Sequence, residues 1–218
     1  MSAHQRDAWQ LVGDAVLRGI NHALANRVTA LAALTASAFP DEPPGAELVD
    51  SLALEVERLE ELLRLLRLLP AGRDGGGAEL VLVADALADA EALHAHHTGL
   101  AESLCDVQGD RGALLPVVAP IPGLVQALVL LLGAVALHHR GAGRPVVRLT
   151  GSERAVRLAG AAAAAGGGAG GGAPEGASVV AGLERLLEGA GAAVRLDEGG
   201  ELVVELPTLL EVRARGRR

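Results

Sequence analysis

From Ala46 to Leu69 the chain carries two apolar stripes on what the spacing predicts to be one helix. Leu52, Val56, Leu59, Leu63 and Leu66 recur at alternating steps of four and three, and Leu62, Leu65 and Leu69 form a second stripe beside them. A helix apolar on two flanks must be covered on two flanks, and a lone helical hairpin covers one. Two hairpins from two copies of the chain would cover both as a four-helix bundle; the alternative is that the rest of the same chain covers the second stripe. The partner helix within the hairpin is predicted upstream, over Val16–Leu34 and extending back toward Asp7. Leu17, Ile20, Leu24, Leu31 and Leu34 make its apolar seam, with Arg27 the one polar interruption. Arg18, His22, Asn26 and Thr29 form a polar file on the opposite side. The run Phe39-Pro40-Asp41-Glu42-Pro43-Pro44-Gly45 separates the two helices.

Half of the residues are hydrophobic but only 1% are aromatic, so the interior must be built from Leu, Val and Ala, which suits packed helices better than a β-sandwich. All 19 basic residues are Arg, which rules out a phosphate-loop lysine or a Schiff base. A formal charge of −8 argues against nucleic-acid binding, which needs a basic surface to neutralise phosphates. The basic run Arg213, Arg215, Arg217, Arg218 reads as a solvated tail. Cys105 is single, so no internal disulfide forms, and no signal-peptide pattern opens the chain; both predict a cytoplasmic protein. Ala113–Leu137 is uncharged over 25 residues, long enough to span a membrane. Pro116, Pro120 and Pro122 break its first half, however, and the helix left from Gly123 reaches about 22 Å against a hydrocarbon core of roughly 30 Å. It is read as a buried core helix, with no membrane partner.

Pro70–Gly77 has the composition of a linker. Beyond it, strands are predicted over Glu79–Val83, Ser103–Val107, Pro145–Thr150, Ala155–Ala159, Ala193–Leu196 and Glu201–Leu206, and helices over Ala84–His97, Gly123–His139 and Ala177–Glu188. Gly160–Pro174 is an Ala/Gly low-complexity tract; without Lys, and with no strand leading directly into Gly166–Gly172, it is no phosphate loop. The fold class expected is α+β: a helical hairpin (1–70), a linker (71–78), an α/β sandwich with helices on one face of a sheet (79–207) and a basic tail (208–218).

This order of elements resembles the catalytic half of a bacterial sensor histidine kinase, a helical-hairpin dimerisation domain followed by an ATP-binding α/β domain, over about Asp7 to Pro207. The stretch GINHALANRVTAL is similar to the family's phospho-acceptor box, with His22 as acceptor and Asn26 four positions on. Gly176-Ala177-Ser178 through Glu188-Gly189-Ala190-Gly191, the hairpin after it and Leu206-Pro207 resemble the end of the ATP domain. The departures are specific. The family's acidic residue after the acceptor is Ala23 here, and the magnesium-binding Asn is replaced at Gly133 within LVLLLGAVALHH. The Asp-x-Gly-x-Gly box has become Leu158-Ala159-Gly160-Ala161-Ala162, and the lid is the Ala/Gly tract. Metal-assisted transfer from ATP needs oxygen ligands and phosphate donors, and these positions offer none. A kinase fold that keeps its His without its ATP site resembles the bacterial histidine phosphotransferases derived from degenerate kinases.

The resemblance therefore implies a homodimeric phosphorelay protein in which His22 exchanges a phosphoryl group with the receiver aspartate of a response regulator. A neutral imidazole presents a free lone pair for that step. Asn26 would orient the ring or a water, Arg18 and Arg27 would pair with phosphate oxygens, and Thr29 extends the partner-facing file. No cofactor is expected, because the receiver would supply Mg²⁺. Two other readings stay open: a non-enzymatic adaptor that docks a response regulator, and a diverged kinase or response-regulator phosphatase in which Asn26 positions water. His94 and His97 share a helix face without an obvious third ligand, so no metal site is assigned.

Overall fold

The computed structural model describes residues 7–37, 45–69, 77–100, 104–139, 144–162 and 176–217. Along these run α1 (Ala8–Ala36), α2 (Ala46–Leu66), β1 (Glu79–Val81), α3 (Val83–His94), β2 (Asp106–Gln108), β3 (Val117–Ala119), α4 (Ile121–His138), β4 (Val146–Gly151), β5 (Ala155–Ala161), α5 (Gly176–Leu186), β6 (Ala193–Leu196), β7 (Glu201–Pro207) and α6 (Leu209–Arg215). The architecture is α+β, as expected. The inter-helix turn at 38–44, linker residues 70–76 and tract residues 163–175 lie outside the described residues.

The core forms around α4. Pro122 sits in its first turn, where a missing N–H costs no helical bond, so the helix starts at Ile121 rather than Gly123. Every residue from Leu124 to Ala136 is buried. Among the described residues α4 is the one helix long and apolar enough to cross a membrane, and 72% of it lies inside the fold. It packs on α3, α5 and the sheet strands β4 and β5.

The main sheet has the order β2-β4-β5-β7-β6, with β2 parallel to β4 and the other pairs antiparallel. Alternation along the strands assigns the faces: Val156, Leu158, Leu202, Val204 and Leu206 are buried, whereas Arg157, Glu201 and Glu205 alternate with them. On that outer face Arg157 pairs with Glu201 and Glu205, Arg195 with Glu205, and Arg148 with Glu201. Ala159 and Val203 are buried among these long side chains, which cover apolar surface with their stems.

Two elements depart from the sequence reading. Val117–Ala119, between Pro116 and Pro120, forms a small antiparallel sheet with β1, because prolines flanking a three-residue strand leave its own ladder bonds intact. The basic tail is not wholly extended: it carries α6, whose N-cap Thr208 is fully buried and accepts a hydrogen bond from the Glu211 N–H. Thr208-Leu209-Leu210-Glu211 is a capping-box pattern, a helix-start signal at the mouth of the basic run.

The hairpin is joined to this body along a continuous core. Ala8, Trp9, Val12, Ala15, Val16 and Ile20 of α1 are buried, and all but Ala15 belong to the same cluster as α4 and the sheet. Leu17, counted in the expected seam, is exposed; the buried file passes through Val12, Val16 and Ile20 instead. On α2, Leu65 of the second stripe is 2% exposed while Val56 of the first stripe is 45% exposed. The rest of the chain thus covers one flank of α2 and leaves the other open. Arg64 of α2 pairs with Asp89 of α3 at 2.7 Å, and the Gln126 amide of α4 donates to the Leu68 carbonyl at 2.8 Å.

Candidate functional site

Past Ile20, α1 projects from the α/β body: none of the residues from Asn21 to Ala36 is fully buried, and only Ala23 and Leu24 still pack against the core. His22 is the first titratable side chain on this projecting part, and it is exposed. The Asn26 amide, one turn on, meets His22 Nε2 at 3.3 Å. An amide NH₂ can only donate, so this contact needs an unprotonated Nε2 and leaves the ring proton of a neutral imidazole on Nδ1. The Nε2 lone pair is then directed at the Asn26 amide, in one long, solvent-exposed bond that is cheap to exchange. Arg18 is exposed on the same helix, one turn before His22. Thr29 is also exposed, and its hydroxyl donates to the Ala25 carbonyl at 2.9 Å, a local bond within the helix.

Arg27 has a different environment. Its guanidinium reaches across the hairpin to both carboxylate oxygens of Glu55, each at 3.2 Å. Arg58 binds the same carboxylate from the next turn of α2. Burial pushes the Glu55 carboxyl upward, but the hydrogen bonds from Arg58 and Arg27 outweigh it and hold the group below the usual carboxylate range. Of the five residues placed at the site from sequence, His22 and Asn26 touch each other, Arg18 and Thr29 lie on the exposed surface near them, and Arg27 is engaged by Glu55.

Glu55 is the residue that sequence reasoning missed. The signal was present: Leu48, Glu55, Leu62 and Leu69 stand at heptad intervals, so Glu55 is a polar interruption on α2 as Arg27 is on α1. Two facing interruptions of opposite charge predict a pair.

In the α/β body, the positions that the resemblance singles out are tightly packed. A Cβ added to Gly133 would lie 3.0 Å from the nearest methyl of Val12, so this face of α4 is closed by α1. At Gly160 a Cβ would lie 2.8 Å from Val135 and 3.1 Å from the Val146 carbonyl oxygen. Leu158 to Ala161 run as strand paired with β7. Ala23, following His22, is partly buried against the core.

The other histidines are structural in their contacts. His94 is buried, and its Nε2 accepts from the Cys105 backbone N–H at 3.3 Å. Burial, with the nearby His97 second, pushes its pKa down to about 4. His97 Nδ1 accepts from the Gly99 N–H at 3.1 Å. Burial raises the Cys105 thiol to about 12, far from a reactive thiolate. Among the described residues no three His, Cys, Asp or Glu side chains converge as a metal site.

No family model matches the chain, and no curated protein does. Among solved structures it is similar to the Acinetobacter baumannii histidine kinase AdeS, at 15% identity and a TM-score of 0.40 over 88% of this chain and 97% of that one. It is similar to the cytoplasmic segment of the histidine kinase QseC, at 14% identity and a TM-score of 0.36 over 79% and 99%. A third similar structure is the blue-light activated histidine kinase EL346 of Erythrobacter litoralis, at 18% identity and a TM-score of 0.38, over 90% of this chain and 63% of that one.

Proposed function

We propose that this chain is a histidine phosphotransferase of a two-component phosphorelay, a cytoplasmic homodimer that exchanges a phosphoryl group between His22 and the receiver aspartate of a response regulator without binding ATP. The observation that carries the reading is the exposed His22–Asn26 pair on the part of α1 that has no fully buried side chain. In the transfer, the Nε2–P bond forms as the P–O bond to the receiver aspartate breaks, and that bond's electron pair returns to the carboxylate. The Asn26 amide leaves Nε2 and is placed to donate to a phosphoryl oxygen; Arg18 adds positive charge from the preceding turn. Arg27 acts on the hairpin instead, fixing α1 against α2 through Glu55. The receiver would bring Mg²⁺, as the resemblance implies.

Two further features support parts of this reading. The closed face at Gly133 and the strand pairing of Leu158–Ala161 leave the positions of the lost ATP boxes packed by the chain's own residues. The open flank of α2, with Val49, Val56 and Leu63 exposed at heptad spacing, is the surface through which two hairpins would form a four-helix bundle. The Asn26 amide also gives a specific ground for the second reading, a response-regulator phosphatase: held by one long bond to His22, it can be turned to hold an attacking water.

The test mixes the protein with a prephosphorylated receiver and follows the label. Acid-labile, base-stable phosphate on the wild type and none on His22→Gln is the expected result. Label lost from the receiver without appearing on this chain moves the phosphatase ahead. No change across several receivers overturns both, and leaves an adaptor. Light scattering checks the dimer separately.

A further inference from the structure

The N-terminal half of α1 is gripped from three sides. At its start Asp7 caps the helix and pairs with Arg185 of α5. At its middle Val12 closes on Gly133 of α4. At its end the segment following α3 makes backbone contact: Thr98 donates from both N and Oγ1 to the Ala15 carbonyl, each at 3.4 Å. In the same place a Cβ on Gly19 would stand 1.7 Å from the His96 carbonyl oxygen and 2.8 Å from its carbon. That separation admits glycine alone, since the obstacle is backbone and cannot rotate away.

We infer that the His96–Thr98 segment is a latch on α1, closed through Gly19, that decides whether the His22 helix and the α/β body move as one rigid unit. Closed, it makes α1 a bar anchored over Ala8–Ile20. Open, the Ala8–Ile20 half loosens from the body and carries the His22 site with it. At about 100° per residue, Asn26 falls within about 20° of Gly19 around the helix axis and His22 within about 60°. The site therefore starts where the latch ends, on nearly the same side of the helix. The inference stands without the phosphotransfer chemistry and fails or survives separately from it.

Trp9 is the single tryptophan of the chain and is buried in the gripped half, so its emission reports whether that half stays seated on the body. In Gly19→Ala, helix propensity alone predicts a more stable protein, because alanine replaces glycine in a helix interior. The latch predicts the opposite sign: Trp9 emission shifts to longer wavelength and becomes quenchable by acrylamide, and amides of residues 8–20 lose exchange protection, with α4 still protected. Trp9 emission and exchange unchanged from wild type would overturn the inference. Should the variant fail to fold, the wild type gives the answer. Across a denaturant series, residues 8–20 should exchange in one cooperative unit with α4; their opening well ahead of α4 would overturn it.

Discussion

The two halves of α1 share one helix and little else. Ala8–Ile20 buries six side chains against the α/β body, whereas Asn21–Ala36 buries none. The first half is made of residues that pack, including two glycines that let other backbone or rings approach closely. The second carries His22, Asn26 and Thr29 on its surface. Packing is concentrated in one half of a single rod, and the other half keeps its polar side chains in solvent. A helix half with no fully buried side chain would fray on its own, since helices owe most of their stability to packing. Here it is held by continuity with the anchored half, by partly buried Ala23 and Leu24 against the core, and by the Arg27–Glu55 bond to α2.

The sharpest way to break the comparison is a matched pair of truncations. Trp9→Ala empties a site that is 6% exposed in the native fold and should cost about 3–5 kcal/mol, as large-to-small changes of aromatic core residues do. Val28→Ala, at a position 58% exposed, should change stability by no more than about 0.5 kcal/mol. Urea denaturation of both variants measures the gap. Equal costs would mean that the second half is as deeply packed in solution as the first.

Acid should act on the anchored half through the latch region. His94 is buried and neutral, with its pKa pushed down to about 4, while an unfolded histidine titrates near 6.5. Between those values the unfolded state binds the extra proton, so stability rises with pH across that window. Full above about pH 7, this contribution is lost as pH falls through 6.5 and is gone near 4, about 3 kcal/mol in all. His94→Leu forfeits the acceptor for the Cys105 N–H, and so is weaker at pH 7, but its stability should vary less between pH 6.5 and 4. An unchanged slope in that variant would place the acid sensitivity on other groups.

Which parts were legible follows from the same physics. Apolar patterning found α1, α2, α4, α5 and the two hairpins of the main sheet, because each carries a pattern, or in α4 an unbroken apolar run, long enough to count. It placed Leu17 in a seam that the structure leaves exposed, because Leu17 alternates equally well with Ile20 and Leu24; what lies against a helix decides between adjacent files, and that is tertiary information. The three-residue β3 is too short for any period to show. The His22–Asn26 contact follows from their four-residue spacing on one helix face, while their part in a site rests on the resemblance. The Arg27–Glu55 pair needed the register of α1 on α2, and the Gly19–His96 contact needed a loop from another part of the chain.

The smallest expected effect compares the two ends of α1. Asp7 accepts from the Trp9 N–H and pairs with Arg185, while at the other end Ser37 donates its hydroxyl to the Leu34 carbonyl in solvent. Asp7→Ala removes an N-cap and should cost about 1 kcal/mol. Asp7→Asn keeps the capping oxygen and loses only the charge toward Arg185, a partly exposed pair, so its cost should be about 0.5 kcal/mol or less. Ser37→Ala should be silent, because the carbonyl it leaves is already open to water. Thermal unfolding that ranks Asp7→Ala lowest, Asp7→Asn above it and the wild type highest would assign the anchor to the cap more than to the ion pair. If Asp7→Asn proved as damaging as Asp7→Ala, the bond to α5 would be the stronger tie, and the anchored half would be held by charge at its tip as well as by packing along its length.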